Sequence, residues 1–237
     1  PKPVAQKPTA PTSTATVIPI VTLPPVQATS TDLAPLVLDA KVRSALVNII
    51  CTSENEGYLQ PISGTGIIIS PQGLVITAAH IGQYFLVKDY PTKNFIHCIA
   101  RTGSPAKEMY TLELVYIPPV WVIEHAADLT SEDPLGTGEN DFALLRITGT
   151  LPGVTAPLSP FPYLKPEPNQ LFIYKNENVE LAGYPAGFLG TLAISRDLYV
   201  ASTVTTIKDF FTFRENTIDI VSLGGSVVAQ KGSSGGA

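Results

Sequence analysis

From Ala45 onward the sequence is cut into short apolar runs separated by Gly, Pro, Asn and Asp, and that segmentation limits what it can fold into. The runs are ALVNIICT, GTGIIIS, GLVITAA, YFLVKDY, FIHCIAR, TLELVYI, DFALLRI, VELAGYP, LYVASTVTTI and TIDIVSL. They are too short for core helices and are rich in β-branched and aromatic residues. Many short strands at a spacing of roughly 8–12 residues argue for an all-β sandwich or barrel. Between GTGIIIS and GLVITAA lies Ser70-Pro71-Gln72-Gly73, with Pro second and Gly fourth. That order suits a type I turn, so these two runs form a hairpin.

Two segments depart from the strand pattern. Residues 32–44 (DLAPLVLDAKVRS) carry a helical period, with Asp32 as the N-cap. Residues 118–129 (PPVWVIEHAADL) have helical spacing with Pro at the start. With the Gly-rich LGTGEN after them, they form an insertion on the way to Asp141.

Residues 1–31 are rich in Pro, Thr, Ala and Val and almost free of charge. Such a stretch holds no helix and reads as an extended tether, of the kind that separates an upstream membrane anchor from a surface domain. The chain opens with Pro1-Lys2-Pro3 and not Met, and reads as a piece of a longer precursor. The Pro-rich crossing of residues 151–168 divides the strand-bearing part into regions of 32–160 and 161–237. Apolar residues make up 44% of the chain and charged ones 15%, enough for a sizeable core. A net charge of −5 without a dense basic patch argues against nucleic acid as a partner. No apolar run approaches the ~18 residues of a membrane span.

Cys51 and Cys98 are the two cysteines, and neither belongs to a CxxC or CxxH pattern, so no zinc site is expected. They are either one disulfide, closing a loop that contains His80, or two reduced, buried thiols.

Serine attacks carbonyls only with a base beside it, and that base needs a third group to fix its tautomer. Three short motifs supply such a set in the order His, Asp, Ser. They are Thr77-Ala78-Ala79-His80, Asn140-Asp141-Phe142-Ala143-Leu144-Leu145 and Gly232-Ser233-Ser234-Gly235-Gly236. Read alone, each has a plain alternative: a histidine at a strand end, a carboxylate that starts a strand, a Gly/Ser linker. His97 and His125 keep the plain reading, and Asp89, Asp128 and Asp133 open no comparable strand. The serine motif also satisfies G-x-S-x-G, the nucleophile elbow of esterases. That fold requires the order Ser, Asp, His, whereas here both partners lie upstream.

Together the three motifs resemble those of the trypsin-like (chymotrypsin-fold) serine peptidases, particularly the bacterial branch, over roughly residues 40–237. The resemblance implies two antiparallel six-stranded β-barrels of the chymotrypsin type, the second incomplete in this chain. It implies His80 as base, Asp141 as its orienting group and Ser234 as nucleophile, with the amides of Gly232 and Ser234 forming the oxyanion hole. It further implies a protein or peptide substrate, an acyl-enzyme and no metal or cofactor. The digestive branch has Asp where this chain has Ser233, and no IVGG-like start is present, so activation by N-terminal insertion is not expected. Val228, six before Ser234, falls at the pocket floor and would favour small or medium apolar P1 side chains. An extracytoplasmic site follows from the tether and the cysteines. The contrasting expectation is an inactive protease-fold binding module tethered at a cell surface.

Overall fold

The computed structural model describes residues 33–53, 61–130, 137–167, 173–187, 194, 196–213, 217–226 and 228–237. The expected tether of residues 1–31 and the Asp32 cap lie outside these. The chain divides into two compact units, Pro1–Leu33 and Ala34–Ala237. The strands and the candidate site belong to the second.

The framework of that unit is one closed antiparallel barrel, in the order β1-β2-β3-β6-β5-β4. The strands are β1 (Leu46–Ser53), β2 (Ile62–Ile68), β3 (Leu74–Thr77), β4 (Ile96–Thr102), β5 (Lys107–Tyr116) and β6 (Ala143–Thr150). Alternation makes the inside of the barrel. Val47, Ile49 and Cys51 of β1 point inward with Ala143, Leu145 and Ile147 of β6, while Arg146 and Thr148 face solvent. Val75, Ala100, Tyr110 and Leu112 complete the packing, and Phe161 closes it with its ring edge-on to Tyr110 at 5.5 Å. Each fully buried Ile or Leu here contributes about 1.5–3 kcal/mol relative to exposure.

The hairpin expected at Ser70–Gly73 is present. Gly73 N–H donates to the Ser70 carbonyl at 3.1 Å, and β2 pairs with β3. The expected helix is α1 (Leu33–Ser44), and the insertion contains α3 (Pro119–His125) followed by a 3-10 segment, Ala126–Thr130. One expected strand is not a strand. In YFLVKDY the chain continues from a one-turn helix, α2 (Ala79–Gly82), into a 3-10 turn at Gln83–Phe85. Gln83, Tyr84 and Phe85 are buried in succession, which a two-sided strand with one wet face does not allow.

A second, three-stranded sheet has the order β7-β8-β9, from β7 (Asn178–Gly183), β8 (Ala201–Phe211) and β9 (Ile220–Leu223). Its core includes Ala182, Tyr184, Leu198 and Val200, and it takes in Val42 of α1 and Leu46 of β1. β1 is therefore buried on both faces: Val47 and Ile49 fill the barrel, and Leu46 belongs to the second core. α1 is fastened to this sheet by Arg43. Its Nε meets the Asp39 carboxylate at 2.7 Å, and its terminal nitrogens reach the Val200 carbonyl at 3.0 Å and the Ser202 hydroxyl at 2.6 Å. Ser202 also donates to Asp39, and this bond is the main reason the Asp39 carboxyl is held below its ordinary range, against the opposing effect of burial.

Cys51 and Cys98 are directly opposite each other on β1 and β4, with Cα atoms 4.1 Å apart, and they form a disulfide. The cross-link spans a sequence separation of 47 residues. Chain-entropy reasoning gives it about 4 kcal/mol of stabilisation. The double variant Cys51→Ala/Cys98→Ala is therefore expected to lose that amount in denaturant melts. Reductant should bring the wild-type protein toward the same midpoint and leave the variant unmoved.

Candidate active site

β3 ends at Thr77, Ala78 is extended (φ −74°, ψ 148°), and α2 begins at Ala79. That change of direction carries His80 to the rim of the barrel. Ala79 and Ile81 are buried on either side of it, while the imidazole stays half-exposed. α2 lies tightly on the start of β6. A Cβ built on Gly82 would come within 2.5 Å of the Ala143 Cβ, so this approach requires glycine at position 82. Gln83 holds the turn by donating to the His80 carbonyl at 3.1 Å.

The partner arrives from β6. Before that strand, Asn140 adopts a left-handed conformation (φ 58°), which Asn tolerates better than most residues. Both oxygens of the next residue, Asp141, are engaged by His80. The ring Nδ1 lies 2.9 Å from Oδ2, and the backbone N–H donates to Oδ1 at 3.0 Å. Burial would raise the Asp141 pKa, but the bonds from the His80 ring and backbone and from the Ala79 amide outweigh it and hold the carboxyl below its ordinary range. An ionised carboxylate has no proton to give, so Nδ1 must donate. In the neutral ring Nε2 is then left as the acceptor.

The serine loop docks on the same region. Thr65 of β2 donates its N–H to the Ser234 carbonyl at 2.8 Å and its hydroxyl to the Gly232 carbonyl at 2.8 Å. The Ala186 N–H donates to the Lys231 carbonyl at 2.7 Å, Gly236 N–H donates to Ser233 O at 2.8 Å, and the Ser233 hydroxyl donates to Val228 O. Gly235, with φ +81°, leaves no room for a side chain. A Cβ there would stand 2.3 Å from Thr65 O, 2.6 Å from Thr77 Oγ1 and 2.9 Å from Ala78 N. The residue after Ser234 therefore rests on the strand end that leads into His80. A cavity of about 510 Å³ opens beside the loop, lined among others by Leu181, Ala182, Val228, Lys231, Ser233 and Ser234.

His80 and Asp141 are thus in direct contact. Ser234 and Val228 line the cavity, and Gly232 belongs to the loop that Thr65 holds. His97 is exposed on β4. His125 makes a second His–Asp pair, with Asp128 at 2.7 Å, but its ring stacks on Trp121 at 4.8 Å, away from any serine loop in its bonding. Among the described residues, no group of three or more His, Cys, Asp or Glu is gathered that could hold a metal ion. No helix there is long and apolar enough to cross a membrane. Sequence reasoning misses Thr65, Gln83 and the Ala186 amide. For Thr65 the one sequence signal is a polar residue set between two glycines in an apolar strand.

A family profile described as the trypsin-like peptidase domain matches residues 64–237. The chain belongs to the trypsin-like peptidase family. Membership makes it a hydrolase of the protease class, with proteins or peptides as substrates. No curated protein matches its sequence. Among solved structures, the crystal structure of Deg5 is similar to it at a TM-score of 0.55 and 12% identity, covering 88% of this chain and 80% of that one. At that identity the likeness is one of fold.

Two consequences are measurable. The Asp141 carboxyl has a depressed pKa in the folded state, so its contribution to stability is present above the unfolded value and is lost as pH falls through the folded one. The stability gap between wild type and Asp141→Asn should therefore shrink from neutral pH to below about 4 in pH-resolved melts. Gly235→Ala should impose about 1–3 kcal/mol of strain and loosen residues 232–236, read as faster amide exchange there with the barrel unchanged.

Proposed function

We propose that this domain is a serine endopeptidase in which Ser234 attacks the peptide carbonyl, His80 takes and returns the proton, and Asp141 orients His80. The observation that carries this reading is the double bond pattern of Asp141. With both carboxylate oxygens engaged by one histidine, the ring cannot swing and its Nε2 remains available to a serine hydroxyl. Attack gives a tetrahedral intermediate. Collapse expels the amine as His80 protonates it, and water then hydrolyses the acyl-enzyme along the reverse path.

The orientation of the loop peptides supports Gly232 and Ser234 as oxyanion donors. In a trans peptide the N–H points opposite to the preceding C=O. The Lys231 carbonyl is committed to Ala186 and the Ser233 carbonyl to Gly236, so the amides of Gly232 and Ser234 face away from those partners. Donors aimed at the developing charge typically contribute about 10²–10³-fold each in rate. The cavity beside them would take the P1 side chain. Val228, Ala182 and Leu181 in its lining favour small or medium apolar groups, and dominant cleavage after Arg or Lys would refute that preference.

On this reading residues 32–160 and 161–237 are the two barrel regions, with β7-β8-β9 part of the second. The Cys51–Cys98 disulfide favours an oxidising, extracytoplasmic compartment.

Fluorophosphonate labelling, with the adduct mapped by mass spectrometry, tests the reading. The expected result is an adduct on Ser234 that disappears in His80→Ala. Peptide turnover should fall about 10⁶-fold in Ser234→Ala or His80→Ala, and about 10⁴-fold in Asp141→Asn. A well-folded protein that takes no label would overturn the enzyme reading in favour of a protease-fold binding module.

A further inference from the structure

Thr65 is fully buried, yet all of its polar groups are engaged, and they connect three separate parts of the molecule. It sits on β2 of the barrel. Its hydroxyl accepts from the Tyr184 N–H at 2.9 Å, just beyond β7 of the second sheet, and donates to the Gly232 carbonyl at 2.8 Å. Its own N–H donates to the Ser234 carbonyl at 2.8 Å. Its carbonyl accepts from Thr77 Oγ1 at 2.7 Å, at the strand end that leads to His80.

The geometry points to Thr65 as the positioning residue for the nucleophile, an inference that rests on the serine-peptidase reading above. The Gly232 carbonyl belongs to the peptide plane before Ser233, and the Ser234 carbonyl to the plane after Ser234. One residue therefore fixes the backbone on both sides of the Ser233–Ser234 pair. The hydroxyl is used in both directions at once. Its single proton goes to Gly232 while a lone pair takes the Tyr184 N–H, so loop and second sheet are registered through one oxygen. Tyr184 is itself anchored: it is fully buried and its phenol donates to the Gly103 carbonyl at 3.0 Å. The Thr65 methyl takes no part in these bonds. The role thus belongs to the hydroxyl and is separable from simple packing.

Thr65→Val keeps the shape of the side chain and removes the hydroxyl, while Thr65→Ser keeps the hydroxyl and removes the methyl. For Thr65→Val the expected result is a fall in kcat of about 10–100-fold with KM within about threefold, the size of effect that a loop displaced by about 1 Å produces. Amide exchange across residues 231–236 should rise, with β1 and β4 unchanged. Thr65→Ser should retain most of kcat and wild-type exchange in the loop. A folded Thr65→Val with wild-type kcat, or with wild-type exchange at 231–236, would overturn the inference and leave the peptidase reading standing. So would a folded Thr65→Ser that loses kcat by the 10–100-fold expected of Val, which also covers the case in which the Val variant does not fold. If wild type itself takes no fluorophosphonate at Ser234, the peptidase reading falls and this inference with it. The exchange data then report only a structural tie.

Discussion

The pairing of β3 with β6 is the constraint on which the site depends. Thr77 lies opposite Ala143 in that ladder. His80 comes three residues after the first and Asp141 two residues before the second, so register alone brings together groups 61 residues apart in sequence. A one-residue slip would turn Leu145 and Ile147 outward and carry Asp141 away from the imidazole. The closed barrel prevents this, because β3 and β6 are each held on their other edge, by β2 and β5. Packing that stabilises the core thus also sets the histidine's tautomer.

The serine loop depends on a different kind of fit. It is seated by hydrogen bonds to its backbone carbonyls, by the reciprocal backbone bonds of Ala237 with Ala182 of β7, and by the absence of side chains. Gly235 admits the Thr65 carbonyl and the Ala78 amide where any Cβ would collide with them. Gly232 follows the same logic against Tyr184 O, at 2.7 Å from its hypothetical Cβ. The motif's small residues are therefore contact surfaces, and the sequence GSSGG is far from a generic linker once its surroundings are known.

Much of this is legible in the amino-acid sequence. The short apolar runs that become β1 and β6, the Ser70–Gly73 turn and the periodicity of α1 are local signals, and the observed elements match them. The strand expected at YFLVKDY fails for a physical reason. Tyr84 and Phe85 suit a strand by composition, but consecutive burial at the barrel rim is better met by a tight helical turn that continues α2. The pairing of Cys51 with Cys98 stays open in the sequence because it is a question of register, and register appears only when β1 meets β4. The bonding of Thr65 is hidden for the same reason. Its partners Tyr184 and Gly232 are 119 and 167 residues away, beyond the reach of any local pattern.

The closed barrel also has a consequence for the order in which the molecule comes into being. All six of its strands lie between Leu46 and Thr150, so a chain emerging from the ribosome can close it while the segment bearing Ser234 is still being made. His80 and Asp141 then meet in a finished scaffold that has no serine loop to act with. The division of the site between an early-made framework and a late-made loop acts as a timer: the proposed chemistry can begin only after the second sheet has docked.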